Sequence, residues 1–148
     1  MLSRPALRRS LAVLLSLLVF TSCGESSVTD PYQEAAGVFL LKSIAGSDLP
    51  AVITSNSTDG TVRVTTGSLF LSGDGRFQET LTITHIPPTG PSQNGTAVAT
   101  GTFSVVGDSV EFSIAEKGST PPSKMQARLR GDTLTYSILG REVLYLKL

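Results

Sequence analysis

The sequence predicts an all-β domain: an antiparallel up-and-down meander of about eight to nine strands closing into a barrel, with a two-sheet sandwich as the competing architecture. Three observations carry this. From residue 37 to the end, apolar and polar residues alternate, as a sheet with one wet face requires. No stretch beyond residue 36 offers a helical stripe of period 3.6. All 14 glycines lie at or beyond position 24 and cluster where strands should end. Closure into a barrel is favoured because it removes exposed strand edges.

The elements follow in order. Val38, Leu40 and Ile44 share one face of a first strand, with Phe39 and Leu41 on the other. Residues 61–72 alternate as a second run. Phe77, Glu79, Leu81, Ile83 and His85 then face one way, and Arg76, Gln78, Thr80, Thr82 and Thr84 the other. Val98 stands opposite Ala97, Ala99, Phe103 and Val105. Val110, Phe112 and Ile114 make the next stripe, followed by Met125, Ala127 and Leu129, then by Leu134, Tyr136 and Ile138. The chain closes on Val143-Leu-Tyr-Leu-Lys-Leu148.

Three turns share one form: Gly73-Asp74-Gly75, Gly107-Asp108-Ser109 and Gly131-Asp132-Thr133. Such pairs adopt the positive φ of tight hairpins at low cost. The first two sit in segments that echo each other at an offset of 34 residues, and the third follows 24 residues later, so the echo marks repeated hairpins rather than a solenoid. Pro87-Pro88-Thr-Gly-Pro91 and Gly118-Ser-Thr-Pro-Pro122 read as longer loops.

Composition narrows the function. The chain has 148 residues, 12 basic and 12 acidic, one His, one Cys and no Trp, the size of a single domain. Arg4, Arg8 and Arg9 lie ahead of every acidic residue. Without that leader the chain keeps nine basic and 12 acidic residues, a net charge of −3. Such a domain is a poor nucleic-acid binder, because phosphate neutralisation needs a basic face. One Cys excludes an internal disulfide, and one His excludes a multi-His metal site. No cofactor is expected.

Residues 1–22 read as an export signal. A basic start precedes the ten-residue apolar run from Leu11 to Phe20. As a helix that run would be about 15 Å long, half of a hydrocarbon core. The following Phe20-Thr-Ser-Cys23-Gly resembles the lipobox of bacterial lipoproteins. That resemblance implies cleavage before Cys23, lipidation of its thiol and amine with acyl chains such as palmitate, and attachment to a membrane of the bacterial cell envelope. Gly24 at the next position implies the outer membrane. Residues 23–36 are then expected to be the lipidated Cys and a polar tether reaching roughly 20 Å. Residues 37–148 form the barrel domain. Asn56 and Asn94 match the N-glycosylation pattern and are read as chance products of a Ser/Thr-rich chain.

Gly37-Val-Phe39, the Gly-Asp-Gly-Arg-Phe turn and the terminal Leu-Tyr-Leu-Lys strand are similar to small lipocalin-like bacterial lipoproteins. The resemblance implies a barrel that holds a small apolar ligand. The residues themselves leave a second role open, a filled barrel acting as a structural or partner-binding module of the envelope. Ligand-binding residues are not identified from the sequence.

Catalysis is not expected. No Gly-x-Ser-x-Gly elbow is present, and Glu79 and His85, about 20 Å apart along one strand, cannot form a dyad. Both read as solvated rim positions. Tyr136 and Tyr145 read as core residues with satisfied hydroxyls. Lys124, Arg128 and Arg130 share one strand face and read as a solvated exterior, with an anionic headgroup patch as the alternative. The dispersed Asp residues read as turn formers rather than calcium ligands.

Overall fold

A computed structural model describes residues 30–115 and 122–148. Ten strands follow one short helix: α1 (Pro31–Ala35), β1 (Gly37–Ile44), β2 (Ser47–Asp48), β3 (Ala51–Asn56), β4 (Gly60–Leu71), β5 (Arg76–Ile86), β6 (Gln93–Val106), β7 (Ser109–Ile114), β8 (Ser123–Arg130), β9 (Thr133–Ile138) and β10 (Arg141–Lys147). Every pairing is antiparallel. Strands β4 to β10 run as a meander, β10 pairs β1, and β1 pairs β4, which closes an eight-stranded barrel. The architecture is consistent with a lipocalin-like barrel, and β2 and β3 are additions to it. The extra pair raises the count above the eight or nine expected. β2 folds back on β1 through Ala45 and Gly46, both at positive φ, and β3 pairs with the first half of β4.

The alternation does what period 2 requires. Phe39, Leu41, Leu69, Leu71, Phe77, Phe103, Val110, Phe112, Leu134, Tyr136, Val143 and Tyr145 all point inward and are buried. Two bulges shift this register. In β1 the pairing to β10 slips between Leu41 and Ser43, which turns Ile44 into the interior. Strict alternation had placed Ile44 with Val38 and Leu40, both of which face outward. In β4 the slip between Val64 and Thr66 leaves Thr65 unpaired, and its hydroxyl donates to the Thr82 carbonyl at 3.1 Å.

The meander alternates between two ends, so every second turn shares an end. The three Gly-Asp turns connect β4–β5, β6–β7 and β8–β9 and therefore lie together at one end. Gly75, Gly107 and Gly131 take φ of 82°, 60° and 56° there. The proline-containing segment between β5 and β6 belongs to the opposite end, and the loop expected at 118–122 lies outside the described residues but for its last residue.

Helix α1 covers the Gly-Asp end. Asp30 caps it, its Oδ1 accepting from the Tyr32 amide at 3.0 Å, and Pro31 supplies a pre-set φ at the first position. Ala35 is buried and the Tyr32 ring lies 5.6 Å from that of Phe103. Lys147 Nζ donates to the Glu34 carbonyl at 3.1 Å and sits 5.7 Å from the centre of the Phe39 ring. The last part of the expected flexible tether is thus a helical turn docked on the barrel. The sequence signal for it is the Asp30-Pro31 pair, a helix start too short to show a stripe. The signal segment and Cys23 lie outside the described residues.

Candidate functional site

The two halves of the interior are filled differently. Beneath α1, Phe77 and Phe112 meet edge to face at 4.8 Å, with Phe103 6.2 Å from Phe112. Phe39 and Leu71 complete this layer with no exposed surface. At the opposite end the barrel holds a cavity of about 200 Å³. Its walls are Leu41 and Ile44 from β1, Ile53 and Thr54 from β3, Val64 from β4, Leu81 from β5, Tyr136 and Ile138 from β9, Leu139 from the turn, and Arg141 and Val143 from β10. Gly67 lets two of these walls pack closely. A Cβ at Gly67 would lie 2.7 Å from Leu81 Cδ2 and 2.8 Å from Leu41 Cδ2, so those two wall residues occupy the place of a missing side chain.

Strand β3 forms one side of the mouth. Arg141 Nη1 donates to the Val52 carbonyl at 2.9 Å, tying the β9–β10 turn to β3. Leu139 stands at the lip, 97 % exposed at a φ of 51°.

Below the cavity lies a polar layer. Leu81, Ile138 and Val143 line the walls; two residues further along the same strand faces come Glu79, Tyr136 and Tyr145, about 7 Å deeper. Tyr136 and Tyr145 both donate from their hydroxyls to Glu79 Oε1, Tyr145 at 2.5 Å. Their rings stack with centroids 6.0 Å apart. Glu79 is buried, with 8 % of its surface accessible. Burial, followed by the Glu79 charge, pushes the Tyr136 phenol well above its ordinary pKa of 10. Tyr145 moves the same way, through burial and then the charges of Tyr136 and Glu79. A negative group and a low-dielectric setting both oppose phenolate formation.

Glu79 is therefore corrected from a solvated rim residue to the acceptor at the centre of the barrel. The sequence shows it on the inward face between Phe77 and Leu81, but its partners lie 57 and 66 residues away and meet it only when the barrel closes. Tyr136 and Tyr145 are interior residues with their hydroxyls bonded. His85 sits apart at the end of β5, its Nε2 2.7 Å from the Asp59 carbonyl.

The remaining candidates resolve into local structure. Lys124 bonds Glu111 at 2.7 Å, and Arg130 and Arg128 reach Asp108 at 3.1 and 3.6 Å. Acids of the neighbouring strand and turn thus meet each of the three cations, and the Lys124 bond holds the Glu111 carboxyl below the usual range. Asp74 accepts from the Ser72 hydroxyl, which lowers its pKa, and that hydroxyl oxygen accepts from the Arg76 amide at 3.1 Å. Asp74 is a turn former. No cluster of three metal-ligating side chains occurs among the described residues.

The chain matches no known protein-family model and no curated protein sequence.

Proposed function

We propose that this is a lipid-anchored protein of the bacterial cell envelope, attached through Cys23 to the outer membrane, that holds a small apolar molecule in its barrel without chemically changing it. The apolar-walled cavity of about 200 Å³ is the observation that carries the binding part. An engineered apolar cavity of about 150 Å³ already accepts benzene, so this space suits a single ring or a short acyl chain. The anchor rests on the lipobox-like residues 20–24 behind their basic and apolar leader. The separate partners of Glu79 and His85 support a non-catalytic role.

A second reading has its own observation. Outside the barrel, Val38 pairs with Phe70 and Leu40 with Leu146, and all four are at least 39 % exposed. A contiguous apolar face of that kind suits a protein partner in the envelope.

One experiment separates the two readings. The Cys23→Ser chain, exported to a bacterial envelope behind a cleavable signal in place of residues 1–22, should be soluble and should show a native mass above its denatured mass by one small molecule. An unchanged mass, even after exposure to lipid extract, would refute the carrier reading and favour the partner face. Membrane association that persists in that leaderless Cys23→Ser chain would refute the anchor.

A further inference from the structure

We propose that the apolar outer face shared by β4, β1 and β10 rests on the lipid surface of the membrane that carries the anchor. The proposal rests on the anchor at Cys23, and it gives this face a lipid occupant in place of a protein.

The face is built by register. Val38 pairs with Phe70 and Leu40 with Leu146, and the Leu148 amide donates to the Val38 carbonyl at 2.9 Å. Side chains paired across a ladder point to the same side. Phe39, Leu41, Leu71 and Tyr145 alternate with these residues and are buried, so the five face outward, 39 % to 81 % exposed. Ser68, Gln78 and Thr133, all uncharged, are their partners at the borders. Lys42 and Arg76 beyond them each meet an acid, Asp48 at 3.9 Å and Asp74 at 3.6 Å. The charge around the face is balanced, so apolar contact and not headgroup attraction draws it to a surface.

Place and size choose the occupant. Val38, Phe70 and Leu146 each stand one residue in from the α1 end of their strands. The chain enters the same end at Asp30, the cap of α1, and Cys23 stands seven residues ahead of it. Seven residues reach at most about 25 Å. An anchored Cys23 therefore keeps this end of the barrel beside the bilayer. Three strands about 4.8 Å apart and two rows of side chains about 7 Å apart give a footprint of roughly 200 Å². A stable protein interface takes about 800 Å² from each partner. A chain already anchored needs far less, because the link makes the second contact intramolecular. Without the anchor the face is too small to hold the chain on a membrane, which keeps the leaderless Cys23→Ser chain soluble.

The sequence contains no Trp, so a single introduced Trp reports its own surroundings. Phe70→Trp is compared with Val106→Trp, which lies at the same end on another side of the barrel, 78 % exposed. Each chain is expressed with its leader, purified in lipidated form and reconstituted into phosphatidylcholine vesicles, with or without bromine near the head of each acyl chain. Side chains resting on a bilayer enter its headgroup–acyl boundary by about 5–10 Å, so Trp at position 70 should lose about half of its emission or more to bromine. Trp at position 106 should keep its emission. Equal quenching at the two positions, or none, in a chain whose mass includes the acyl groups would overturn the docking face and leave the anchor intact. A mass without acyl groups would overturn the anchor and the docking together. A photo-reactive residue in place of Phe70, irradiated in intact cells, should form lipid adducts. A protein adduct, whether a second copy or another chain, would overturn the lipid assignment. Should Phe70→Trp fail to fold, Leu40→Trp reads the same face.

Discussion

At the α1 end of the barrel, Phe39, Phe77, Phe103 and Phe112 pack under a helical lid, whereas at the mouth Leu41, Ile44, Val64 and Val143 surround open space. The same strands run through both regions with inward side chains at the same spacing. Of the five phenylalanines among the described residues, these four fill one half of the interior, and none lines the cavity. Ring volume and a lid make a solid plug; smaller aliphatic residues leave a hole. The boundary between them is the Glu79–Tyr136–Tyr145 layer. One end is solid, and the other keeps a cavity.

The largest test acts on that boundary. The folded-state pKa values of Tyr136 and Tyr145 are raised. Their stabilisation is therefore complete below the unfolded value near pH 10 and is lost as the pH climbs beyond it, while the folded barrel retains protons that the unfolded chain releases. The expected loss is about 1.4 kcal/mol per phenol for each pH unit above 10. In a Tyr32→Phe background, phenolate absorbance should rise together with unfolding measured by circular dichroism. Ionisation well ahead of unfolding would show that the layer is not closed to water.

The same substitution made at the two ends compares them directly. Leu71→Ala beneath α1 should cost toward the top of the range of about 2–5 kcal/mol, because its neighbours are fully packed. Leu81→Ala, whose side chain already borders the cavity, should cost at or below the bottom of the range, about 2 kcal/mol. Urea denaturation of the pair measures both, and equal losses would mean that the mouth is as tightly packed as the plug.

The lid gives the smallest effect. Asp30→Ala removes the α1 cap and should cost about 0.5–2 kcal/mol. Amide exchange should quicken in α1 and at the adjacent Gly73–Gly75 turn, and stay unchanged in β3. A loss of protection at the mouth instead would couple the two ends and break the comparison.

Much of this was legible in the residues. Period-2 alternation located β4 to β10, since facing is a local property of an extended chain. The Gly-Asp turns were legible for the same reason, and their echo at 34 residues was an echo of one barrel end. Ile44 was misplaced because a bulge reverses facing without leaving a signal in the pattern. Helix α1 was missed because five residues are too few for a period to register.

The sequence by itself determined that the chain would form an antiparallel β-meander, where its turns would fall, and which side chains would face inward. Only the tertiary structure decided which inward residues meet. The closing pairs β1–β4 and β1–β10, together with the register of each ladder, bring Glu79 under two tyrosines from the far end of the chain. They also set which half of the interior is filled and which remains open. Alternation depends on the geometry of one strand, whereas contact across a barrel depends on closure and stagger, which no local pattern encodes.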